Sequence, residues 1–103
     1  MKLTCTLTAL AVLSIGALGN AAAADIEAGK AKAAPCAGCH GANGEGKGTN
    51  PAVAGMAEDR FVQAMKDYRS GKRPNAMMKG FAAKLDDAET ANVAAYYASL
   101  KKK

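Results

Sequence analysis

Residues 36–40 read Cys-Ala-Gly-Cys-His, and no other feature limits so tightly what this chain can fold around. Two intervening residues make one turn, which sets both sulfurs along one edge, and the imidazole follows directly. Three chemistries share parts of this pattern. A thiol redox pair needs a strand ahead of it in a βαβ setting, and nothing before Cys36 reads as a strand. A structural zinc site needs four ligands, whereas the chain beyond Ala24 offers two cysteines and one histidine. Covalent haem attachment uses all three groups: the thiols add across the two vinyl groups and the imidazole of His40 reaches the iron.

The first 24 residues carry the marks of an export signal. Met1-Lys2 supplies a short positive end, Leu3 to Leu18 is dominated by apolar residues, and Ala22-Ala23-Ala24 offers the small residues a signal peptidase needs. The apolar stretch falls short of the roughly 20 residues that span a bilayer, and no stop-transfer pattern follows. No stable membrane insertion is expected after cleavage. Cys5 opens the apolar stretch rather than following it, which argues against lipid attachment there. Cleavage after Ala24 leaves residues 25–103 as one domain, with Cys36 and Cys39 as its cysteines.

A domain of this size buries a modest fraction of its surface, and small domains commonly lean on a cofactor, metal or disulfide. Here the chain has no Trp, and its aromatics are Phe61, Phe81, Tyr68, Tyr96 and Tyr97. Too few large side chains are present to fill the centre. The formal charge of +5 falls by one when Lys2 leaves with the leader. Its cations are scattered without interleaved aromatics, which excludes a nucleic-acid surface, and Lys101-Lys102-Lys103 sits where cations complement a helix C-terminus.

Periodicity predicts helices and no strand. Asp25 is placed to cap a short helix over Ile26 to Ala34 that runs toward Pro35, and Gly29 inside it suggests close approach of another backbone. Gly38 to Gly55 reads as a loop, crowded with Gly, Asn and Pro. Phe61, Ala64, Met65 and Tyr68 fall on one face of a helix over Glu58 to Ser70, ended by Gly71. Lys72 to Gly80 reads as a second loop carrying Met77 and Met78, leading into a turn or short helix at Phe81 to Leu85. Asp86 and Glu89 form a capping-box pattern for a last helix with Val93, Tyr96, Tyr97 and Leu100 on one face. Loops this long in so small a domain need a function.

His40 is the only histidine, so a second axial ligand, if any, is another donor, and Met is the common one. Met65 is accounted for by its helix face, and Met56 follows the first loop too closely. Met77 and Met78 remain.

Together these residues resemble the bacterial class I c-type cytochromes, and among them the single-haem relatives of the halves of periplasmic dihaem cytochromes. The resemblance covers Asp25 to Leu100. It rests on Gly29, Cys36 to Gly41, Asn50-Pro51-Ala52-Val53-Ala54-Gly55, Ser70-Gly71-Lys72-Arg73, the Met78 to Leu85 spacing, and Tyr96 to Leu100. It implies an all-α small cytochrome c fold, three to five helices with long loops wrapped around one covalently attached haem c. Met78, seven residues before Leu85, is then the axial ligand, with Met77 as the alternative. The Pro51 carbonyl would accept from the non-ligating nitrogen of His40, and Gly29 and Tyr96 would mark the crossing of the first and last helices. Asp86 stands where relatives often carry Ser; either residue caps.

The function expected is that of a periplasmic, monomeric carrier of single electrons between donor and acceptor proteins, with no substrate transformed. Lys72, Arg73 and Lys79 are candidate steering charges for such partners, or simply a solvated face. Two other readings stay open: a haem-bearing subunit of a dehydrogenase, and a sensor or peroxidase with an open sixth position.

Overall fold

The computed structural model describes residues 24–100; the expected leader, but for Ala24, and the Lys101-Lys102-Lys103 tail lie outside these residues. Five helices follow one another: α1 (Ile26–Lys32), α2 (Ala34–His40), α3 (Glu58–Ser70), α4 (Ala76–Ala83) and α5 (Asp87–Ser99). No strand forms among the described residues, where Lys47 and Asn50 make a single isolated bridge.

The chain ends of the domain are pinned together first. Asp25 caps α1 by accepting from the Ala28 N–H at 3.1 Å, while its own N–H donates to Asn92 Oδ1 of α5 at 2.8 Å. One turn on, α1 crosses α5 at Gly29. A Cβ placed there would lie 2.0 Å from the Asn92 carbonyl oxygen and 3.0 Å from Tyr96 Cβ, so only glycine lets the two backbones meet at this distance.

The core lies between α3, α4 and α5. Phe61 and Met65 of α3 pack against Ala82 of α4 and against Val93, Ala94 and Tyr97 of α5, with Ala33 and Val53 closing the ends. The Phe61 and Tyr97 rings meet at 5.9 Å between centroids. Val93 and Ala94 are completely buried. The long loop after α2 seals onto the same aromatic: Gly44, at φ 71°, leaves 2.9 Å between a notional Cβ and the Tyr97 ring, and the Gly55 N–H donates to the Tyr97 carbonyl at 2.8 Å.

Two segments expected as loop are helical. Residues 38–40 belong to α2, because Pro35 does not stop a helix but stands in the first turn of a new one, where its missing N–H would have no partner anyway. Ala33 closes α1 and opens α2. Residues 76–80 belong to α4, so Met77 and Met78 sit in a helical first turn. The side chain of Asn75 accepts from the Met78 N–H at 3.0 Å, an N-cap that nucleates a helix despite Pro74 before it and Gly80 within it.

Lys32, in the last turn of α1, pairs with Glu89 in the first turn of α5 at 2.8 Å. The hydrogen bond from Lys32 holds the Glu89 carboxyl below its ordinary 4.5, helped by the Asp86 N–H of the capping box. A depressed carboxylate adds stability that is fully present above its unfolded value and is lost as pH falls through the lower folded value. Because the pair is exposed, its contribution is small and screened by salt. Glu89→Gln, which keeps an oxygen for the Asp86 N–H, is expected to flatten this acid limb and leave the neutral-pH helicity unchanged. Thermal melts from about pH 6 down to about pH 3 check it.

Candidate haem site

The α2 helix gathers the three groups of the pentapeptide. Cys36 and Cys39 are free thiols, both half-buried, and His40 is the last helical residue, 8% exposed. Burial pushes the Cys36 thiol above its ordinary value, against the opposing effect of a hydrogen bond with Tyr97. The Tyr97 phenol is itself raised, by burial first and then by Cys36. Redox-active and nucleophilic thiols are shifted the other way, toward the thiolate.

The loop after α2 folds back on its C-terminus. The Gly46 N–H donates to the His40 carbonyl at 2.6 Å and Asn50 Nδ2 to the Cys39 carbonyl at 3.0 Å, so two carbonyls that a helix end leaves open find partners. This return brings Pro51 beside the imidazole, with His40 Nδ1 2.7 Å from the Pro51 carbonyl oxygen. A carbonyl can only accept, so Nδ1 carries the proton. In the neutral ring, Nε2 then keeps its lone pair, the form a metal requires.

Two adjoining cavities, of about 170 and 120 Å³, share Cys36, His40, Pro51, Met65, Tyr68 and Met78 in their walls. They are parts of one slot between the pentapeptide, α3 and α4. Cys39 lines the larger part, together with Met77 and Phe81. Met78 is half-buried and packs against the core, whereas Met77 is 65% exposed and reaches only the larger part. Met65 is core, at 4% exposure, while one edge of it faces the slot. Met56 lines the smaller part.

The residues present fit a haem. The slot is predominantly apolar, the two cysteine sulfurs in its wall are unpaired with each other, and the buried imidazole is held in a metal-binding tautomer. Among the described residues no three His, Cys, Asp or Glu side chains converge as a metal cluster, so the zinc alternative lacks its donors.

Two wall residues have roles that their place in the sequence does not reveal. Asn50 is a polar residue in a Gly-rich loop, and its role depends on where that loop returns. Tyr97 reads as core by periodicity, which says nothing of its contact with Cys36 across more than half the domain. The proposed steering charges Lys72, Arg73 and Lys79 are all exposed, and Arg73 also stacks over the Tyr68 ring at 5.2 Å and forms part of the slot wall.

Residues 26–101 match the family described as Cytochrome c. The chain is 44% identical to cytochrome c4 of Pseudomonas aeruginosa over 87% of its own length and 46% of that protein. It is 36% identical to cytochrome c-554(548) of Halomonas halodenitrificans, over 75% of this chain and 98% of that protein. The crystal structure of reduced cytochrome c4 from Pseudomonas stutzeri superposes with a TM-score of 0.73 at 31% identity, covering 79% of this chain and 48% of that one. The chain thus spans about half the length of its cytochrome c4 relatives and nearly all of the smaller one. A helical fold closed around an apolar slot, a family match over most of the chain and relatives of this similarity lead to one conclusion: the chain belongs to the bacterial class I cytochromes of the cytochrome c family, whose cofactor is a covalently attached haem c.

Proposed function

We propose that the protein is exported to the periplasm through the leader of residues 1–24 and carries single electrons between redox proteins. In this reading one haem would be held by Cys36 and Cys39, and His40 and Met78 would bind its iron. The observation that carries it is the convergence of Cys36, His40 and Met78 on one apolar slot, with the His40 tautomer set by Pro51. When bound, the haem supplies a reversible one-electron couple at its iron.

The chain's own residues hold, tune and insulate. The Pro51 carbonyl fixes the plane of the His40 ring and makes Nε2 a stronger donor. A methionine thioether would be a weaker, softer donor than imidazole and so would raise the potential relative to a second histidine. Met65, Tyr68 and Phe81 keep water from the slot, and a low-dielectric surrounding favours the less charged state of the centre. The half-buried Met78 in the wall supports a filled sixth position, whereas a sensor or peroxidase needs an open one. The exposed Met77, Lys72 and Lys79 near the slot give a redox partner a small landing surface of the kind transient complexes use.

The ligand assignment is tested by the weak far-red absorption band that reports a sulfur bond to ferric iron. Met78→Ala is expected to abolish the band and let the ferrous protein bind carbon monoxide rapidly, while Met77→Ala leaves both properties as in the parent. Loss of the band in Met77→Ala, with Met78→Ala unchanged, would reverse the assignment.

A further inference from the structure

Arg69 stands outside the slot walls, yet more of its bonding is spent on the frame of that slot than any sequence pattern requires. Its Nη2 donates to the Leu85 carbonyl at 3.1 Å and lies 3.5 Å from Thr90 Oγ1. Its Nη1 meets Asp87 Oδ1 at 3.2 Å. Its Nε is buried and has no hydrogen-bond partner, a state that costs stability and persists only when the remaining bonds hold the guanidinium in place.

The acceptors are not scattered. Leu85, Asp87 and Thr90 all belong to the junction at which α4 ends and α5 begins. Thr90 is 2% exposed and its hydroxyl donates to the Asp86 carbonyl at 2.8 Å, so it is oriented to accept from Arg69. The ion pair with Asp87 is the weak part, since that carboxylate is 85% exposed. The part-buried, charge-assisted bond from Nη2 to the Leu85 carbonyl is the strong one, and it is made while Nη1 of the same rigid guanidinium reaches Asp87.

The N-terminal end of α4 follows a short turn, in which the Arg73 N–H closes α3 by donating to the Asp67 carbonyl at 3.0 Å and Asn75 caps the first turn of α4. Arg69 thus supplies the side-chain tie between α3 and the far end of the helix that carries Met78. A short helix moves as a unit, so slack at the Leu85 end shifts the Met78 side chain as well.

We propose that Arg69 is a positioning residue for the sixth ligand: by clasping the α4–α5 junction to α3 it keeps the Met78 sulfur in the slot and the iron closed to other ligands. The inference rests on Met78 being the axial ligand.

The test compares Arg69→Gln, Arg69→Lys and Asp87→Asn in the exported holoprotein, reading haem content, thermal midpoint, the far-red band and the rate of carbon monoxide binding to the ferrous form. Arg69→Gln is expected to keep its haem but lose most of the band and bind carbon monoxide at least about tenfold faster, a change of about 1.4 kcal/mol in the barrier. Arg69→Lys, which keeps the charge without the fork, should fall between it and the parent. Asp87→Asn should match the parent. If Arg69→Gln does not fold, Arg69→Lys against Asp87→Asn decides on the same readings. A lowered midpoint with parental band and carbon monoxide rate in the Arg69 variants would overturn the inference and leave Met78 ligation intact. A parent without the band would overturn both.

Discussion

Gly29→Ala is expected to destabilise the holoprotein by about 3 kcal/mol or more, the upper range for overpacking a tight contact. Intrinsic propensity points the other way, since alanine is better than glycine inside a helix by about 1 kcal/mol. The decision lies with the crossing of α1 and α5. The added methyl would meet backbone atoms of Asn92, at 2.0 and 2.5 Å, and a backbone in the middle of α5 cannot step aside as the end of a flexible side chain can. Separating the helices would also strain the Asp25 bond to Asn92 and the Lys32 pair with Glu89. Gly80→Ala is the matched control. Gly80 is likewise helical, but a Cβ there meets nothing within 4 Å, so the same substitution should stabilise by up to about 1 kcal/mol. Thermal melts of the two variants should move in opposite directions, with Gly29→Ala falling by more than about 10 °C.

The second large effect follows from the thin core. The double variant Cys36→Ser, Cys39→Ser is expected to retain no haem after acidified organic extraction and to lose its cooperative thermal transition. Serine hydroxyls resemble thiols in shape, so the backbone of α2 is not what changes. What is removed is the covalent hold on the group that fills the slot lined by Cys36, His40, Met65 and Met78. Without that group the apolar walls face water, and a domain this small has little other burial to offset the conformational entropy of folding. Haem staining after denaturing electrophoresis, together with circular dichroism melts, checks both parts. A cooperative melt near the parental midpoint in the haem-free variant would show a chain able to close on itself.

Long elements with strong local signals were legible before any coordinates. The α3 helix declares itself through Phe61 and Met65 at helical spacing and ends at Gly71, whose φ of 85° is the left-handed closure glycine favours. The α5 helix starts at a complete capping box of Asp86 and Glu89. The short helix α2 and the first five residues of α4 were hidden because Pro35, Gly38, Pro74 and Gly80 all read as breakers, and only the end of α4 showed, as the turn or short helix from Phe81. A helix of seven or eight residues draws its stability from packing rather than propensity, and packing is not visible in a linear string. The Asn75 cap was the available clue to α4.

The site divides along the same line. Cys36, Cys39 and His40 are contiguous, so their association needs no folding to be seen. Met77 and Met78 are neighbours in sequence and differ only in which side of α4 meets the core, leaving one half-buried and the other 65% exposed. Tyr97 is placed in the core by its helical period, but the contacts of Asn50, Tyr97 and Arg69 are with residues distant along the chain, which no period or spacing rule reveals.

A potentiometric titration of the exported protein, followed by its absorption spectrum, reads directly whether one covalent haem carries a single electron. One reversible wave is expected, of about 59 mV per tenfold change in the ratio of oxidised to reduced protein, the slope of a one-electron couple. A wave of about 30 mV per tenfold change, the slope of a two-electron thiol–disulfide couple at Cys36 and Cys39, would contradict it, as would a protein whose spectrum does not change with potential.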